Sequence, residues 1–268
     1  MRWINKDKRE MKYYESSVYG EWCKRIYGKD LKQMGMVTMD ELELFYREVD
    51  LPPESRILDM GCGPGYFAAA VAEHFRSRAM GIDIDEGMIS HARRTFFDHP
   101  KLEFQCLDGN QIFFEASSFD LIYFFDTLYF AGSIENLNAL LDKCLTLLKP
   151  GGKLAVFWSN HPTTWFGIQE PTANTTHVGI WGSDNNVSVK AVDLTETYRR
   201  FWLKAIKEIV AMTSDLRHEI PETYETLMDE CSRFSNLCAK GDTGGMFRWL
   251  YVFTKWREGA TEGGDKSS

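Results

Sequence analysis

Apolar residues recur at helical spacing through the first fifty positions. Met11, Tyr14, Val18, Trp22 and Ile26 line one face before a break at Gly28-Lys29-Asp30. Thr38-Met39-Asp40-Glu41 then has the order of a capping box, with Met39, Leu42, Phe45 or Tyr46, and Val49 on one side. Pro52-Pro53 ends that helix, because the residue before a proline is pushed out of the helical region. From Arg56 the period changes. Short apolar runs at Arg56–Met60, Ala79–Asp83, Leu102–Cys106, Phe119–Phe125 and Lys153–Trp158 read as strands. Helical stretches lie between them at Tyr66–Phe75, Gly87–Phe97 and Ile134–Leu148. The alternation predicts an α/β fold built on a mostly parallel sheet with helices on both faces.

After Trp158 the rhythm breaks. Residues 160–186 are rich in Thr, Asn, Gly and Trp and have no clear period, so they read as irregular. Ser188–Leu194 suits a strand, Glu196–Met212 and Glu222–Cys238 suit long amphipathic helices, and the MFRWLYVF run within Gly245–Trp256 suits a closing strand. The chain thus divides into an N-terminal helical cover (1–50), a sheet core (51–159), a cap (160–244) that contributes one core strand near 188–194, a final core strand (245–257) and a disordered tail (258–268). An insertion at that place lies over the carboxyl ends of the strands, where open α/β sheets bind ligands.

Composition narrows the function. Of 268 residues, 44% are hydrophobic and 26% charged, the balance of a globular protein. Lys and Arg number 31 against 39 Asp and Glu, a net charge of −8 that argues against nucleic acid, whose phosphates call for clustered cations. No apolar run approaches the roughly 20 residues a membrane span needs, and the N-terminus has no apolar core of a signal peptide. The six Cys are scattered without a CxxC pair, which suits reduced thiols in a cytoplasmic protein and not structural zinc. His161, His177 and His218 stand apart, so no metal is expected. Aromatic residues at 14% ask for a large core or an aromatic-lined pocket.

The most informative segment is Asp59-Met60-Gly61-Cys62-Gly63-Pro64-Gly65, at the junction of the first sheet strand and the following helix. Glycines there allow a tight turn and close approach of a ligand to helix N–H groups. Gly81-Ile82-Asp83 ends the next strand, where an acid can accept hydrogen bonds from a ribose diol. A dinucleotide would call for GxGxxG. The spacing here is GxGxG, with Asp59 two residues before the first glycine. That carboxylate repels a pyrophosphate and favours a cationic amine or sulfonium, so the charge argument points to S-adenosylmethionine.

The ordered set ILDMGCGPG, GIDID, CLDGN, FDLIYFFDTLYF and LLKPGGKLAVF resembles the class I S-adenosylmethionine-dependent methyltransferase family, in its small-molecule branch. The likeness covers roughly residues 50–160, and the final strand more weakly. It implies a Rossmann-like sheet of seven strands. It further implies that Gly61, Gly63 and Gly65 pack on the methionine part of the cofactor and that Asp59 approaches its amino group. Asp83 would take the ribose hydroxyls with Ile84 beside the adenine, and Asp108, with Gly109 and Asn110, would receive the adenine amino group. Asp126 to Tyr129 would line the methyl-transfer region, and Tyr19 and Met34 belong to a segment that closes over the cofactor. The expected product is S-adenosylhomocysteine.

Methyl transfer from a sulfonium needs mainly positioning and a deprotonated nucleophile. Asp126, Tyr129 and His161 are the candidate catalytic groups, and Trp158, Trp165, Trp181 and Tyr198 are candidate walls of an acceptor pocket. Aromatic faces near carboxylates attract cationic amines, so the expected partner is a small-molecule acceptor with an amine nitrogen favoured over oxygen, sulfur or carbon. Asp126-Thr127-Leu128-Tyr129 superficially resembles the D/N-P-P-Y element of adenine and cytosine methyltransferases, but its prolines and a basic patch are missing. Two alternatives stay open: an aminopropyltransferase, against which stands the lone Asp126 where paired acids are usual, and a non-catalytic cofactor-binding protein. The chain is expected to act as a monomer or homodimer.

Overall fold

A computed structural model describes residues 13–159, 172–185, 187–239 and 246–257. Two helices open it. α1 (Ser17–Tyr27) starts on the Ser16 side chain, which accepts the Tyr19 N–H, and ends at Gly28 in the left-handed region. α2 (Met39–Val49) carries the complete capping box, with Thr38 bonding the Glu41 N–H and Glu41 reaching back to Thr38. The sheet follows as β1 (Arg56–Met60), β2 (Arg78–Asp83), β3 (Leu102–Cys106), β4 (Phe119–Phe125), β5 (Leu148–Ser159), β6 (Val187–Asp193) and β7 (Arg248–Lys255). Helices α3 (Tyr66–His74), α4 (Glu86–Thr95) and α5 (Ile134–Leu147) join the first strands, and α6 (His177–Asp184) precedes β6. Between β6 and β7 come α7 (Thr195–Ala211), α8 (Thr213–Glu219) and α9 (Pro221–Ala239).

The strand order is β3-β2-β1-β4-β5-β7-β6. The first five strands pair in parallel, and β7 runs antiparallel to both β5 and β6. Alternate residues feed two cores. Ile57, Leu121, Tyr123, Phe125, Ala155 and Phe157 meet Phe45 and Val49 of α2 and Val71 of α3. Leu58, Ile122, Phe124, Leu154, Val156 and Trp158 share the opposite core with Leu141 of α5, Ile26 of α1 and Tyr198 of α7. Burial on both faces explains why these strands read as continuous apolar runs rather than as alternating ones.

The chain runs outward from β1 to β3 and then returns to β4, so β1 and β4 flank the point where strand order reverses. Ligands of open α/β sheets bind outside the carboxyl ends of strands at such a point. The helices after β6 close one side of it. Trp202 of α7 stacks on Phe234 of α9 at 4.3 Å, and Phe201 meets Tyr27 of α1 at 5.4 Å, so the N-terminal cover and the β6–β7 insertion form one helical layer.

Three differences from the sequence reading have local causes. β5 begins at Leu148, because Leu148 pairs with Phe119 across a register shift and carries Lys149-Pro150-Gly151-Gly152 into the strand. α6 stands inside a stretch read as irregular, where Gly179 and Gly182 hide the apolar period while Thr176 caps the helix. α8 is a further short helix between the two long ones. Among the described residues, no helix is long and apolar enough to cross a membrane.

Candidate functional site

The glycine loop leaves β1 at the switch point. Gly61 and Cys62 N–H groups both donate to Ile82 O, at 2.8 and 2.9 Å, which clamps the loop to the end of β2. Gly61 has φ +84, and a Cβ there would lie 2.7 Å from Thr127 Cγ2. Thr127 in turn donates its hydroxyl to Met60 O, so the loop is held tightly between β2 and the residue pair that follows β4. Gly63 also has positive φ, and Gly65 takes the N-cap position of α3. No side chain caps that helix, which leaves its first N–H groups to water or a ligand.

Asp83 is built to hold the same loop. Its Oδ2 accepts the Gly63 N–H at 2.8 Å and its Oδ1 accepts the Asp85 N–H at 2.9 Å. A carboxylate offers about four lone-pair sites, so these two bonds fix its orientation and leave capacity for a diol. Burial raises its pKa despite those bonds. Ile84 follows as an exposed apolar rim, 71% accessible. Leu107 N–H donates to Asp83 O, bringing Asp108 alongside, and Asp108 O receives the Gln111 N–H in the turn Gly109–Gln111. That turn holds the backbone of Asn110.

Asp59 lies one strand over, in register with Tyr123 on β4 and Gly81 on β2. It is buried, and its Oδ2 has no hydrogen-bond partner among the described residues. Burial pushes its carboxyl up to about 7, with the Tyr123 hydroxyl drawing it down and Asp83 adding to the rise. An orphaned carboxylate oxygen inside a fold is costly unless a ligand or proton satisfies it. A cationic amine does so, which is the fit expected of the methionine end of S-adenosylmethionine.

The N-terminal cover reaches the same crevice. Tyr13 contacts Met88 of α4 through its hydroxyl, and its pKa is raised by burial first and by the charge of Asp83 second. Tyr19 donates to Gln33 O at 2.6 Å and touches Met34 Sδ at 2.9 Å, while Tyr27 donates to Gly35 O at 2.8 Å. These bonds fix residues 33–36 along the site. Sequence reasoning had Tyr19 and Met34 but not Tyr13.

The far end of the crevice is governed by ions. Asp126 sits in the left-handed region, with φ 58. Its Oδ2 accepts the Met36 N–H at 2.6 Å and Arg248 Nη2 at 3.1 Å. Its Oδ1 accepts Arg248 Nη1 at 2.6 Å and the Tyr129 hydroxyl. All four lone-pair sites are taken. This corrects the expectation of Asp126 as acid–base group or cofactor contact: it is an anchor with no acceptor capacity left. Arg248 is fully buried and also gives Nε and Nη2 to the two oxygens of Glu41, at 3.0 and 3.3 Å. Its guanidinium lies over the rings of Phe157 and Tyr198, at 5.0 and 5.8 Å.

Residues 57–152 match the family model described as a methyltransferase domain. Over that stretch, which holds the glycine loop and Asp83, the chain is similar to a methyltransferase domain. It is 32% identical over 133 residues to phosphoethanolamine N-methyltransferase 1 of Arabidopsis thaliana, a match covering 49% of this chain and 26% of that protein. It is 26% identical over 151 residues to the ubiquinone biosynthesis O-methyltransferase of Coxiella burnetii, covering 56% of this chain and 61% of the other. In fold it is similar to phosphoethanolamine N-methyltransferase 2 of Haemonchus contortus, solved with phosphomonomethylethanolamine and S-adenosylhomocysteine. There the TM-score is 0.69 at 15% identity, over 92% of this chain and 60% of that one. The chain therefore spans only about a quarter of the plant enzyme it matches.

The structure gathers Asp59, Gly61, Gly63, Gly65, Asp83, Ile84, Asp108 and Gly109 at the ends of β1, β2 and β3. The aromatic candidates separate. Trp158 is buried at the end of β5 with its ring 5.5 Å from Tyr129, and Tyr198 adjoins Arg248. Trp181 does not belong there. Its N–H donates to Asp142 of α5 at 2.8 Å and its ring meets Phe253, which pairs with Leu154 well below the carboxyl end of β5. Trp181 thus fills the helix–sheet core, a correction to its reading as a pocket wall. Trp165 and His161 lie outside the described residues. Arg248 and Glu41 are the residues of this ionic group that the sequence reading missed; the one signal was an arginine inside the otherwise apolar run MFRWLYVF.

Proposed function

We propose that this chain transfers a methyl group from S-adenosylmethionine to a small-molecule nucleophile, with an amine nitrogen favoured. The observation that carries the reading is Asp83, held by the Gly63 N–H of the glycine loop and the Asp85 N–H ahead of α4, beside an Asp59 oxygen with no partner among the described residues. Bound there, S-adenosylmethionine supplies an electrophilic methyl on a sulfonium. The residues do the rest by positioning. Gly61 and Gly63 let the backbone approach the ligand, Asp83 orients the ribose, and Asp59 faces the amino group. Tyr129 is buried and its hydroxyl donates a hydrogen bond to Asp126; burial first, and the charge of Asp126 next, raise its pKa, so it keeps its proton. It therefore orients an acceptor and does not serve as a base.

Support for nitrogen comes from two carboxylates and several aromatic rings at the acceptor end, and from the N-methyltransferase among the relatives. The O-methyltransferase relative makes oxygen the second reading. Six unpaired thiols support a reducing, cytoplasmic setting. Incubating the protein with S-adenosylmethionine and panels of amines, phenols, thiols and carboxylic acids tests the assignment. Methylated amine with equimolar S-adenosylhomocysteine is expected. Turnover confined to phenols or thiols overturns the nitrogen preference, and cofactor binding with no transfer to any class overturns the catalytic reading.

A further inference from the structure

The acceptor end of the crevice holds an ionic group whose charges do not cancel. Asp126, Glu41 and Arg248 are all buried, and two carboxylates face one guanidinium. Asp126 abuts the glycine loop through Thr127, while Glu41 sits on α2 and meets the loop only through Arg248 and Asp126. Glu41 also accepts the Thr38 N–H at 3.1 Å, so its carboxylate is fixed from both sides. Beside the group, burial raises the pKa of the Tyr198 hydroxyl, and the Trp202 ring N–H near it draws that pKa down.

The excess charge suits the chemistry of the proposed function. An amine nitrogen attacks the methyl carbon with its lone pair, the carbon–sulfur bond breaks, and sulfur keeps that pair. Positive charge passes from sulfur to nitrogen, and the amine proton then leaves to solvent. A fixed negative charge at this end is matched to a cation before and after the step, whereas an anionic nucleophile is repelled by it. Removing one carboxylate leaves Asp126 and Arg248 as a neutral pair.

We propose that Glu41 is a positioning residue that sets the charge of the acceptor end: without touching either ligand, it leaves the Asp126–Arg248 pair one negative charge in excess and so selects cationic ligands over neutral ones. This rests on the methyltransferase reading, and the test separates the two. Three ligands are titrated calorimetrically at pH 8: S-adenosylmethionine, which carries a sulfonium; sinefungin, which carries an ammonium at the same place; and S-adenosylhomocysteine, which carries neither. In Glu41→Gln the two cationic ligands are expected to weaken about tenfold relative to S-adenosylhomocysteine. In the double variant Glu41→Gln/Arg248→Gln the single charge returns through Asp126, and the ratio is expected to recover. Equal weakening of all three ligands, or an unchanged ratio in a folded Glu41→Gln protein, overturns the proposal. If Glu41→Gln does not fold, the double variant decides: a ratio far below that of the natural protein overturns it. Failure of the natural protein to bind S-adenosylhomocysteine overturns the cofactor reading instead.

Discussion

On the proposed reading, Asp59 couples cofactor binding to the release of a proton. In the folded protein its carboxyl is raised to about 7 by burial, against roughly 3.9 in an unfolded chain. Between those two values the folded state binds the extra proton, so unfolding free energy is highest at low pH and falls as pH rises toward 7. The full difference amounts to about 4 kcal/mol at most, since each pH unit is worth 1.36 kcal/mol. Cofactor binding reverses the balance. A ligand ammonium beside Asp59 favours the carboxylate, so binding at pH 6 expels the proton that about nine-tenths of the molecules hold there. At pH 8.5 almost none is left to expel. Calorimetric titration of S-adenosylmethionine in buffers of differing ionisation enthalpy reads the number directly. Release near 0.9 proton at pH 6 is expected, turning to net uptake at pH 8.5, where the ligand's α-amino group, with an ordinary value of about 8, must gain a proton to bind as the ammonium; in Asp59→Asn the release at pH 6 is lost. Release that is equal at the two pH values, or that persists in Asp59→Asn, refutes the assignment of Asp59 to the cofactor's amino group.

Asp83→Ala removes the acceptor of the Gly63 and Asp85 N–H groups and, on the proposed reading, of a ribose diol; S-adenosylmethionine affinity is expected to fall by about 1–3 kcal/mol, read by the same titration. Gly61→Ala forces a side chain into a left-handed position 2.7 Å from Thr127. Thermal unfolding should register a loss of about 2 kcal/mol or more, with cofactor binding reduced in step. Arg248→Met leaves the buried carboxylates of Glu41 and Asp126 without their cation. Urea unfolding at pH 8 should show a loss of about 3–5 kcal/mol, partly recovered when Glu41→Gln is added.

The sheet was legible because its strands are buried on both sides. β1, β3 and β4 have the ends read from their apolar runs, and the α2 capping box is formed as its four residues suggest. The cofactor end was legible for a related reason. Its chemistry is local, with Asp59, the glycines and Asp83 spaced by a strand, a turn and one helix. The acceptor end is different. Arg248 and Glu41 meet across 207 positions of sequence, and their pairing depends on β7 running antiparallel beside β5, which no periodicity encodes. Glu41 was also explained in full as a capping residue, and nothing in its surroundings in the chain announced a second role. The aromatic excess was over-assigned to the acceptor because composition cannot tell a ring at a strand end from one in the core. Trp158 and Trp181 differ only in where their elements cross the sheet.

We propose that the crevice at the ends of β1, β2 and β4 binds S-adenosylmethionine and directs its methyl group to a small nucleophile. Product analysis after a single turnover with methyl-labelled S-adenosylmethionine and a mixed acceptor panel tests it most directly. Label is expected on an amine nitrogen, matched mole for mole by S-adenosylhomocysteine and lost in Asp83→Ala. Tight cofactor binding with all label remaining on sulfur, or transfer undiminished in Asp83→Ala, would contradict it.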